Sequence, residues 1–476
     1  MTTTAPVLAP WQPRERSTAW RPWAPGMASQ QGLQGLLEGA RAGGYDRVMV
    51  CGQAPPPTWL LRMVPGWTGG AHYLDTDTPV GRFTHDATGH AVQLRRAAEW
   101  FGPTVTTPRD CAEAYDLLAG AWRRVMGGPL FDSPAATGMD GWLRCNPDTE
   151  QLPADLAELV RATSPQHRVE LFPHEGPLPG FAYVDGRFQF ASLLAELGTA
   201  TGAHLYEDPV IAEHQAADLY ARARFQVRAT VPRHWDTLGV LMCPAGPDPG
   251  DGWRSPRTPG ETFTTWCDGA ELRLARLYGW QCDVLAALPF GKGRPLDQWR
   301  DRILRGREHL ATPAPSRVHD AARAGLRSIL LQTIGAFHST GRTLTRVIDP
   351  TNYAGDGALE HRGHVWIVRE HHALTGRAAA MTHPEISAQV WGRSHARVLE
   401  SPTGGTRWAG AAQVELADIV GIRGDALYLT RNPQWPDDGK IGRLRLKGWL
   451  PGPLDPPRTL DELNRLRAAA EKASTL

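Results

Sequence analysis

Apolar and polar positions along the chain alternate with two different periods, which predicts a mixture of strands and helices. RVMVCG, from Arg47, is an apolar run typical of a buried strand, and ARFQVRATVP, from Ala223, alternates as a strand does. SRVHDAARAGLRSILLQTIGAFHS, from Ser316, instead places its apolar residues at helical spacing, so that one helix face is apolar. The pattern predicts an α/β (α+β) protein.

The length of the chain predicts more than one structural unit. Its 476 residues exceed what one ordinary core supports. The first 30 residues are rich in Pro, Trp and Thr and show no period, so we expect residues 1–30 to be an N-terminal arm. Residues 31–155 are expected to form a small α/β domain, and residues 156–476 a larger second domain.

Composition and charge narrow the classes of function. No apolar signal core opens the chain and no stretch approaches about 18 uninterrupted apolar residues, which favours a cytoplasmic protein without membrane spans. The formal net charge is only +1, so a nucleic-acid partner would have to be recognised by a local patch. One such patch lies between Arg300 and Arg346, where nine arginines stand against three carboxylates.

Two aspartates stand where a predicted strand meets a turn. In FAYVDGRFQF, aromatic strand-like arms flank Asp185 and Gly186, which predicts a hairpin with a type I′ turn. In DIVGIRGDALYLT, Arg423 and Gly424 separate two apolar runs and predict a second hairpin, with Asp425 at the start of its second strand. Each aspartate alone is explained by a turn. Together, they are suited to share two divalent ions, which stabilise the attacking and leaving oxygens of a phosphoryl displacement.

Two arginines on the second arginine-bearing helix complement this interpretation. Arg323 and Arg327 are four residues apart and therefore share one helix face. A guanidinium binds phosphate oxygens in a bidentate way, so this face is a candidate triphosphate clamp. An ordinary solvated helix surface is the alternative.

The segment EHRGHVWIVREHH, residues 360–372, offers a different chemistry. Two of its histidines and a carboxylate could hold zinc, which would suit an unrelated α/β hydrolase with a metal site around His364. On a strand, however, His364 and His372 share a face with Glu370 while His371 points the other way, and the segment has no HExxH helix. We therefore favour the interpretation that these histidines and carboxylates are solvated residues at strand ends over a zinc site.

The order of the elements resembles the polymerase half of family B DNA polymerases. YVDGRFQFASLL looks like the first motif of that family, and TTWCDGAELRLARLYGWQCDVLAALPF is similar to its strand-helix-strand palm segment. RSILLQTIG resembles the finger motif and RGDALYLT the last hairpin motif. The match spans roughly residues 160 to 450, and its strength lies in element order and in the 240 residues between Asp185 and Asp425.

The resemblance implies a right-hand polymerase fold with an antiparallel palm sheet. The palm would comprise residues 160–290 and 340–450, the fingers residues 291–340 and a minimal thumb residues 451–476. The small domain before them would be a degenerate, RNase H-like exonuclease remnant without proofreading, because only Asp75-Thr76-Asp77 resembles the expected Asp-x-Glu pair.

The resemblance also implies roles for individual residues. Asp185 and Asp425 would be catalytic metal ligands, and the carbonyl of Gly186 would help to hold the nucleotide-side metal. Phe190 falls where the family has a sugar-discriminating Tyr, and Arg327, with Arg323 beside it, falls where a Lys contacts the incoming triphosphate. Contacts to the primer-strand backbone are implied for Lys440, Arg445 and Lys447 in KIGRLRLKG.

The function implied is DNA-directed DNA polymerisation with two Mg²⁺ ions, for which Mn²⁺ is a substitute. Nucleotides would be transferred to a primer 3′-hydroxyl or a protein hydroxyl, with a DNA primer-template, deoxynucleoside triphosphates and a priming protein as partners. Arg423 stands where the last motif has its first Asp, and Ile334 where the finger motif has Tyr. The alternative is therefore a catalytically inactive polymerase-fold protein that binds nucleic acid in a replication system.

Overall fold

A computed structural model of the chain describes most of its residues and divides them into two compact units. The first unit is Met1–Pro147 with Gln298–Thr382, and the second is Asp148–Asp297 with His383–Leu476. The described residues are 18–22, 30–51, 63–72, 80–102, 105, 107–218, 220–248, 251–311, 316–351, 353–355, 357–362, 365–405 and 407–474.

The helices and strands follow in chain order. Residues up to 147 contain β1 (Thr18–Pro22), α1 (Gln30–Ala42), β2 (Arg47–Cys51), β3 (Trp67–His72), β4 (Val80–His85), β5 (Ala91–Arg96), α2 (Ala97–Phe101), α3 (Pro108–Met126) and α4 (Pro134–Cys145). Residues 148–297 contain α5 (Ala154–Ala162), β6 (Val169–Leu171), β7 (Leu178–Gly186), α6 (Gln189–Leu193), α7 (Pro209–Ala216), β8 (Ala223–Thr230), β9 (Cys243–Pro244), β10 (Trp253–Arg254), β11 (Thr262–Asp268), α8 (Gly269–Leu277) and β12 (Gln281–Pro289).

The remaining elements complete both units. Residues from 297 to 382 contain α9 (Asp297–His309), α10 (Arg317–His338), β13 (Gly341–Ile348), β14 (Leu359–Arg362), β15 (Val365–Ala373) and α11 (Gly376–Ala380). Residues from 383 onward contain α12 (Pro384–Leu399), β16 (Ser401–Pro402), β17 (Trp408–Ala409), β18 (Ile419–Arg423), β19 (Ala426–Leu429), β20 (Leu444–Leu454) and α13 (Leu460–Ala473).

The first unit is built on a mixed sheet with strand order β1-β2-β5-β4-β3-β13-β15-β14. Strands β1, β2 and β5 are parallel, and the other pairs are antiparallel. Thr18–Pro22 thus forms a strand inside the segment predicted to be an arm, because its backbone pairs with β2. Leu344 of β13 pairs with His72 of β3, so β13, β15 and β14 join the N-terminal sheet, although the sequence assigned residues 340–450 to the palm.

Helix α10, predicted to belong to the fingers, packs within the first unit against α3 and α4. Trp142 of α4 and Phe337 of α10 form an edge-to-face pair with ring centroids 4.9 Å apart. A Cβ on Gly138 would lie 1.7 Å from Thr333 Oγ1, so only glycine allows this approach of the two helices. The apolar stripe of α10 predicted from the sequence is buried by these contacts.

The second unit contains an antiparallel sheet with order β20-β7-β19-β18-β6 and a three-stranded sheet with order β11-β8-β12. Strand β7 is buried on both faces. Ala182 and Val184 belong to a core shared with β8, α8 and the end of α12, whereas Phe181 and Tyr183 belong to a core shared with α13. The predicted antiparallel palm sheet is therefore present, as is the predicted strand-helix-strand of β11, α8 and β12.

Two local predictions were wrong. No hairpin forms at Asp185-Gly186, because β7 ends at Gly186 and α6 begins at Gln189, after Phe188 has turned the chain with φ 45°. A Cβ on Gly186 would lie 2.5 Å from Gln189 Cβ, so glycine permits the turn back onto the strand. The apolar run TLGVLMCP, residues 237–244, predicts a strand from its sequence, yet only Cys243–Pro244 pairs.

Among the described residues, none of the helices has the length and apolar character that crossing a membrane requires.

Tyr428 provides a test of this core. Its fully buried ring stacks on Phe181 and Tyr183 with centroids 5.7 and 5.6 Å apart. Its hydroxyl has no hydrogen-bond partner among the described residues, and burial raises the pKa of Tyr428 to about 12. Because an unpaired buried hydroxyl is costly, we expect Tyr428→Phe to raise the free energy of unfolding by about 1 kcal/mol.

The matched variant Tyr428→Ala should lower the free energy of unfolding by about 3–5 kcal/mol, because it leaves a cavity between the two rings. Urea denaturation of the full chain followed by circular dichroism measures both changes. A Tyr428→Phe variant less stable than the parent would show that the hydroxyl is stabilising.

Candidate active site

Strand pairing brings Asp185 and Asp425 to the same end of the β20-β7-β19-β18-β6 sheet. Ala426, the first residue of β19, lies opposite Asp185 of β7, and Asp425 immediately precedes it. Neighbouring strands are about 4.8 Å apart and residues rise about 3.4 Å, which puts the two aspartate backbones about 6 Å from each other. The backbones of the two aspartates, 240 residues apart in the sequence, are thus neighbours across one strand pair.

The hairpin that carries Asp425 forms as predicted, with a different pair of turn residues. Arg423 pairs with Ala426, so Gly424 and Asp425 make the turn. Gly424 has φ 63° and Asp425 has no positive φ, the pattern of a type II′ turn with glycine first. The amide of Gly424 donates to the carbonyl of Arg168 at 2.8 Å, which ties the turn to the segment leading into β6.

Lys447 is the charge partner of Asp185. Its Nζ lies 3.0 Å from Asp185 Oδ2, 3.2 Å from the Tyr183 hydroxyl and 3.5 Å from a carboxylate oxygen of Glu471 on α13. The β20–β7 register shifts between Leu446 and Gly448, so Lys447 is the extra residue of a β-bulge. A bulge re-aims the side chain that it carries, and here the ammonium lies over the Tyr183 ring, 5.0 Å from its centroid.

The environment keeps the ammonium of Lys447 charged. Burial alone would lower the pKa of Lys447, but the charges of Asp185 and Tyr183 outweigh it and raise that pKa above the ordinary value. Burial also raises the pKa of Tyr183, and the Asp185 carboxylate adds to this effect. Because the lysine pKa is higher in the folded chain, the stabilisation is fully present below the ordinary lysine pKa and is lost only above it.

The other predicted contacts to a primer strand lie on or before the same strand. Arg445 is directly opposite Asp185 in the β20–β7 register, so the two side chains emerge on the same face of the sheet. Lys440 precedes β20 and is largely exposed, with its Nζ 3.5 Å from Asp438. Arg445 and Lys447 therefore give the Asp185 end of the sheet two cationic groups, whereas Lys440 adds a solvated one.

Arg423, which replaces the first Asp of the family motif, is directed to α13. Its guanidinium donates to Asn464 Oδ1 of that helix, and the residue is exposed. The sequence left the role of this arginine open, since Asn464 is 41 residues away. In the folded unit Arg423 joins the hairpin to α13.

Helix α6 places the remaining residues of the first motif. Phe190 lies on this helix and is half-buried. Gln189, which the sequence did not single out, is 1% exposed, and neither atom of its amide has a partner among the described residues. Its only signal in the sequence is a polar residue between two aromatic ones, which does not distinguish a buried amide from a solvated one.

The predicted phosphate clamp lies in the first unit and includes one more arginine than predicted. Arg307 of α9 donates to the carbonyl of Arg323 at 3.4 Å, and Arg327 is exposed one turn further along α10. Burial, followed by the charges of Arg323 and Arg327, lowers the pKa of Arg307 to about 10. Asp320, 3.5 Å from Arg323, is the carboxylate paired with this cluster. The cluster is suited to bind an anion.

The described residues do not support the zinc alternative. They contain no group of three or more His, Cys, Asp or Glu side chains placed to hold a metal ion. Glu370 forms an ion pair with Arg346 on the neighbouring strand and lies 3.7 Å from His372. His364 and the exonuclease-like Asp75-Thr76-Asp77 lie outside the described residues.

Comparison with solved structures identifies the fold. The chain is similar to Phi29 DNA polymerase complexed with primer-template DNA and incoming nucleotide substrates, with a TM-score of 0.54 and 11% identity over 85% of this chain and 76% of that chain. Phi29 DNA polymerase complexed with single-stranded DNA gives a TM-score of 0.53 and 10% identity at the same coverage. No family model and no curated protein matches the sequence. The prediction of a DNA polymerase fold is confirmed.

The interaction energy between Lys447 and Asp185 can be measured by a double-mutant cycle. Lys447→Met leaves a carboxylate that is largely buried without its partner, so we expect the free energy of unfolding to fall by about 2–3 kcal/mol. The double variant with Asp185→Asn should lose less than the sum of the single variants, with a coupling energy of about 1–3 kcal/mol. Urea denaturation of the full chain provides these values.

Lys440→Met is the matched control, because it removes the same charge from a side chain that is 73% exposed. Lys440→Met should change the free energy of unfolding by no more than about 0.5 kcal/mol. Additive single effects of Lys447→Met and Asp185→Asn would contradict a direct ion pair.

Proposed function

We propose that this protein is a DNA-directed DNA polymerase that transfers nucleotides to a primer 3′-hydroxyl or to the hydroxyl of a priming protein. The observation that carries the proposal is the β7–β19 register, which makes Asp185 and Asp425 neighbours at one sheet end. The similarity to Phi29 DNA polymerase supports it, since that enzyme has been solved with primer-template DNA and incoming nucleotide substrates. A low-identity match supports the fold, and the activity is our inference from the site.

The donor set fits magnesium. Asp185 and Asp425 offer carboxylate oxygens and Gly186 a carbonyl oxygen, and Mg²⁺ commonly binds one or two carboxylates together with substrate phosphates. Two bound Mg²⁺ ions, or Mn²⁺ in their place, would supply charge stabilisation to the attacking and leaving oxygens of nucleotidyl transfer. Asp185 is 7% exposed and held on one oxygen by Lys447, so its carboxylate is oriented before any substrate binds.

The cationic residues position the two substrates. Arg445 and Lys447 emerge beside Asp185, where they would bind phosphates of the primer strand, with Lys440 as a weaker, solvated contact. Arg327, supported by Arg323, would bind the triphosphate of the incoming nucleotide in a bidentate way. Positioning and neutralisation of charge provide most of the rate in phosphoryl transfers, so these residues would matter as much as the carboxylates.

A catalytically inactive protein that binds nucleic acid is the second candidate. Two observations favour it: Lys447 already neutralises Asp185 at 3.0 Å, and Arg423 contributes no carboxylate to the site. Such a protein would bind DNA through Arg445 and Lys447 and would have no use for divalent ions.

Primer extension separates the two candidates. With a DNA primer-template, deoxynucleoside triphosphates and Mg²⁺, we expect the parent chain to extend the primer. Asp185→Asn and Asp425→Asn should each lower the rate by roughly 10³-fold, because each removes a charge that stabilises the transition state. Gel analysis of labelled primers measures the rates, and replacement of the DNA primer by a hydroxyl-bearing protein tests the priming mode.

Asp283→Asn is the control for this experiment. Asp283 is an exposed carboxylate on β12 that pairs with Arg228 at 3.3 Å, so its loss should leave extension unchanged. Full extension by either of the first two variants would refute the proposed metal ligands. An inactive parent chain that still binds the primer-template would establish the second candidate.

The arginine cluster predicts a graded effect on nucleotide binding. Arg327→Ala should raise the KM for the nucleotide about tenfold, since a hydrogen bond to a charged group contributes about 1.5–3 kcal/mol. Arg323→Ala should have a smaller effect, because Arg323 is shared with Asp320. Steady-state extension at varied nucleotide concentration measures both, and Arg305→Ala, exposed on α9, serves as the matched control. If all three variants changed the KM for the nucleotide equally, a specific triphosphate clamp at Arg327 and Arg323 would be ruled out.

A further inference from the structure

A cavity in the second unit lies apart from the proposed catalytic pair. Its volume is about 340 Å³, and α6, α8, α12 and the β16–β17 hairpin line it. Leu274, one of its lining residues, belongs to the core on the Val184 face of β7, whereas Tyr183 packs on the other face against α13. Neither Asp185 nor Asp425 lines the cavity. It is therefore a separate feature of this unit.

Arginines dominate the polar lining of the cavity. The guanidinium of Arg393 is held by main-chain carbonyl groups, among them Ala195 O at 2.6 Å. Three further arginines have no side-chain acceptor within the described part of the chain: Arg222, Arg273 and Arg397. Burial, and then the positive charges of Arg443, Arg273 and Arg393, lowers the pKa of Arg397. The lining thus contains four arginines and three carboxylates, Glu196, Asp268 and Glu400.

The carboxylates at the cavity wall are engaged elsewhere. Asp268 caps α8 by accepting from the amide of Ala270 at 2.9 Å, and burial raises the pKa of Asp268 to about 7. Glu400 accepts from the hydroxyl of Tyr278 at 2.6 Å. Glu196 pairs with Arg294, at 3.2 Å. An external anion is therefore the natural partner of the three arginines.

Two exposed aromatic side chains lie at the same cavity. Trp408 of β17 is 50% exposed and Tyr220 is 83% exposed, although large aromatic side chains are usually covered. An aromatic ring beside cationic groups is the arrangement that binds single-stranded nucleic acids, where the ring stacks on a base and the cations bind phosphates. The cavity volume is within the range of about 300–1,000 Å³ found for sites of small ligands.

We propose that this cavity binds the phosphate-and-base unit of a nucleotide. Arg222, Arg273 and Arg397 bind the phosphates, and Trp408 stacks on the base. Two sources offer this chemistry: a free nucleoside triphosphate and an unpaired nucleotide of a DNA strand. The site does not rest on the proposed polymerase activity, because it shares no residue with the proposed catalytic pair or with the arginine cluster of α9 and α10.

Binding measurements on the full chain test this site. In EDTA, which suppresses binding that requires metal ions, dATP binding is measured by equilibrium dialysis and a fluorescein-labelled twelve-nucleotide oligo(dT) by fluorescence anisotropy. The double variant Arg222→Gln/Arg397→Gln should weaken binding roughly tenfold or more, because two charge-assisted hydrogen-bond donors are lost. Trp408→Ala should weaken it roughly fivefold or more, because base stacking is lost.

Arg228→Gln is the matched control. Arg228 lies on β8, does not line the cavity and forms a surface ion pair with Asp283. Thermal unfolding of each variant shows that the fold is retained. A loss confined to dATP assigns the site to free nucleotides, and a loss confined to the oligonucleotide assigns it to a DNA strand. Unchanged binding of both probes, or an equal loss in Arg228→Gln, overturns the proposal.

The test also separates this site from the proposed polymerase centre. Neither Asp185→Asn nor Asp425→Asn should weaken binding of either probe in EDTA, because each removes a negative charge and neither residue lines the cavity. If either variant abolishes it, the probes bind at the catalytic pair and the cavity proposal is overturned. If primer extension fails while the arginine and tryptophan variants still weaken binding, the cavity proposal holds and the polymerase proposal does not.

Discussion

Strand β7 is hydrogen-bonded on both edges and buried on both faces, and the positions of the two proposed catalytic aspartates and of the cations beside them follow from it. Its pairing with β19 sets Asp425 beside Asp185, and its pairing with β20 sets Arg445 opposite Asp185. A shift of one residue in either register would move side chains to the other face of the sheet. Because both faces of β7 are packed, such a shift would expose one core and bury polar groups in the other.

Charge balance at the end of this strand explains how a carboxylate is held there. Asp185 is nearly buried, and an unpaired charge in that position would be strongly unfavourable. The bulge in β20 brings Lys447 onto it, and Glu471 and Tyr183 complete the surroundings of the ammonium. Divalent ions would have to share Asp185 with Lys447, which is the physical reason why an active polymerase and an inactive DNA-binding protein are both consistent with one arrangement of backbone.

Both units concentrate arginines that outnumber the nearby carboxylates. In the first unit, Arg307, Arg323 and Arg327 gather where α9 approaches α10. In the second unit, arginines gather at the cavity beside Trp408, while the carboxylates there cap a helix or accept from a tyrosine. The net charge of +1 hides both clusters, because acidic residues elsewhere compensate them. Phosphates would therefore be bound by these local clusters of positive charge, whatever the net charge of the chain.

The sequence by itself determined the elements whose signals are local. The apolar stripe of α10, the hairpin around Gly424 and the strand-helix-strand of β11, α8 and β12 follow from periodicity and turn residues, and the order of these elements was enough to indicate a polymerase fold. Tertiary structure alone decided the partners. Lys447 meets Asp185 only because a bulge re-aims its side chain, and Arg423 meets Asn464 only when α13 docks. Likewise β13 joins the N-terminal sheet through pairing with a strand more than 260 residues earlier, which no local pattern encodes.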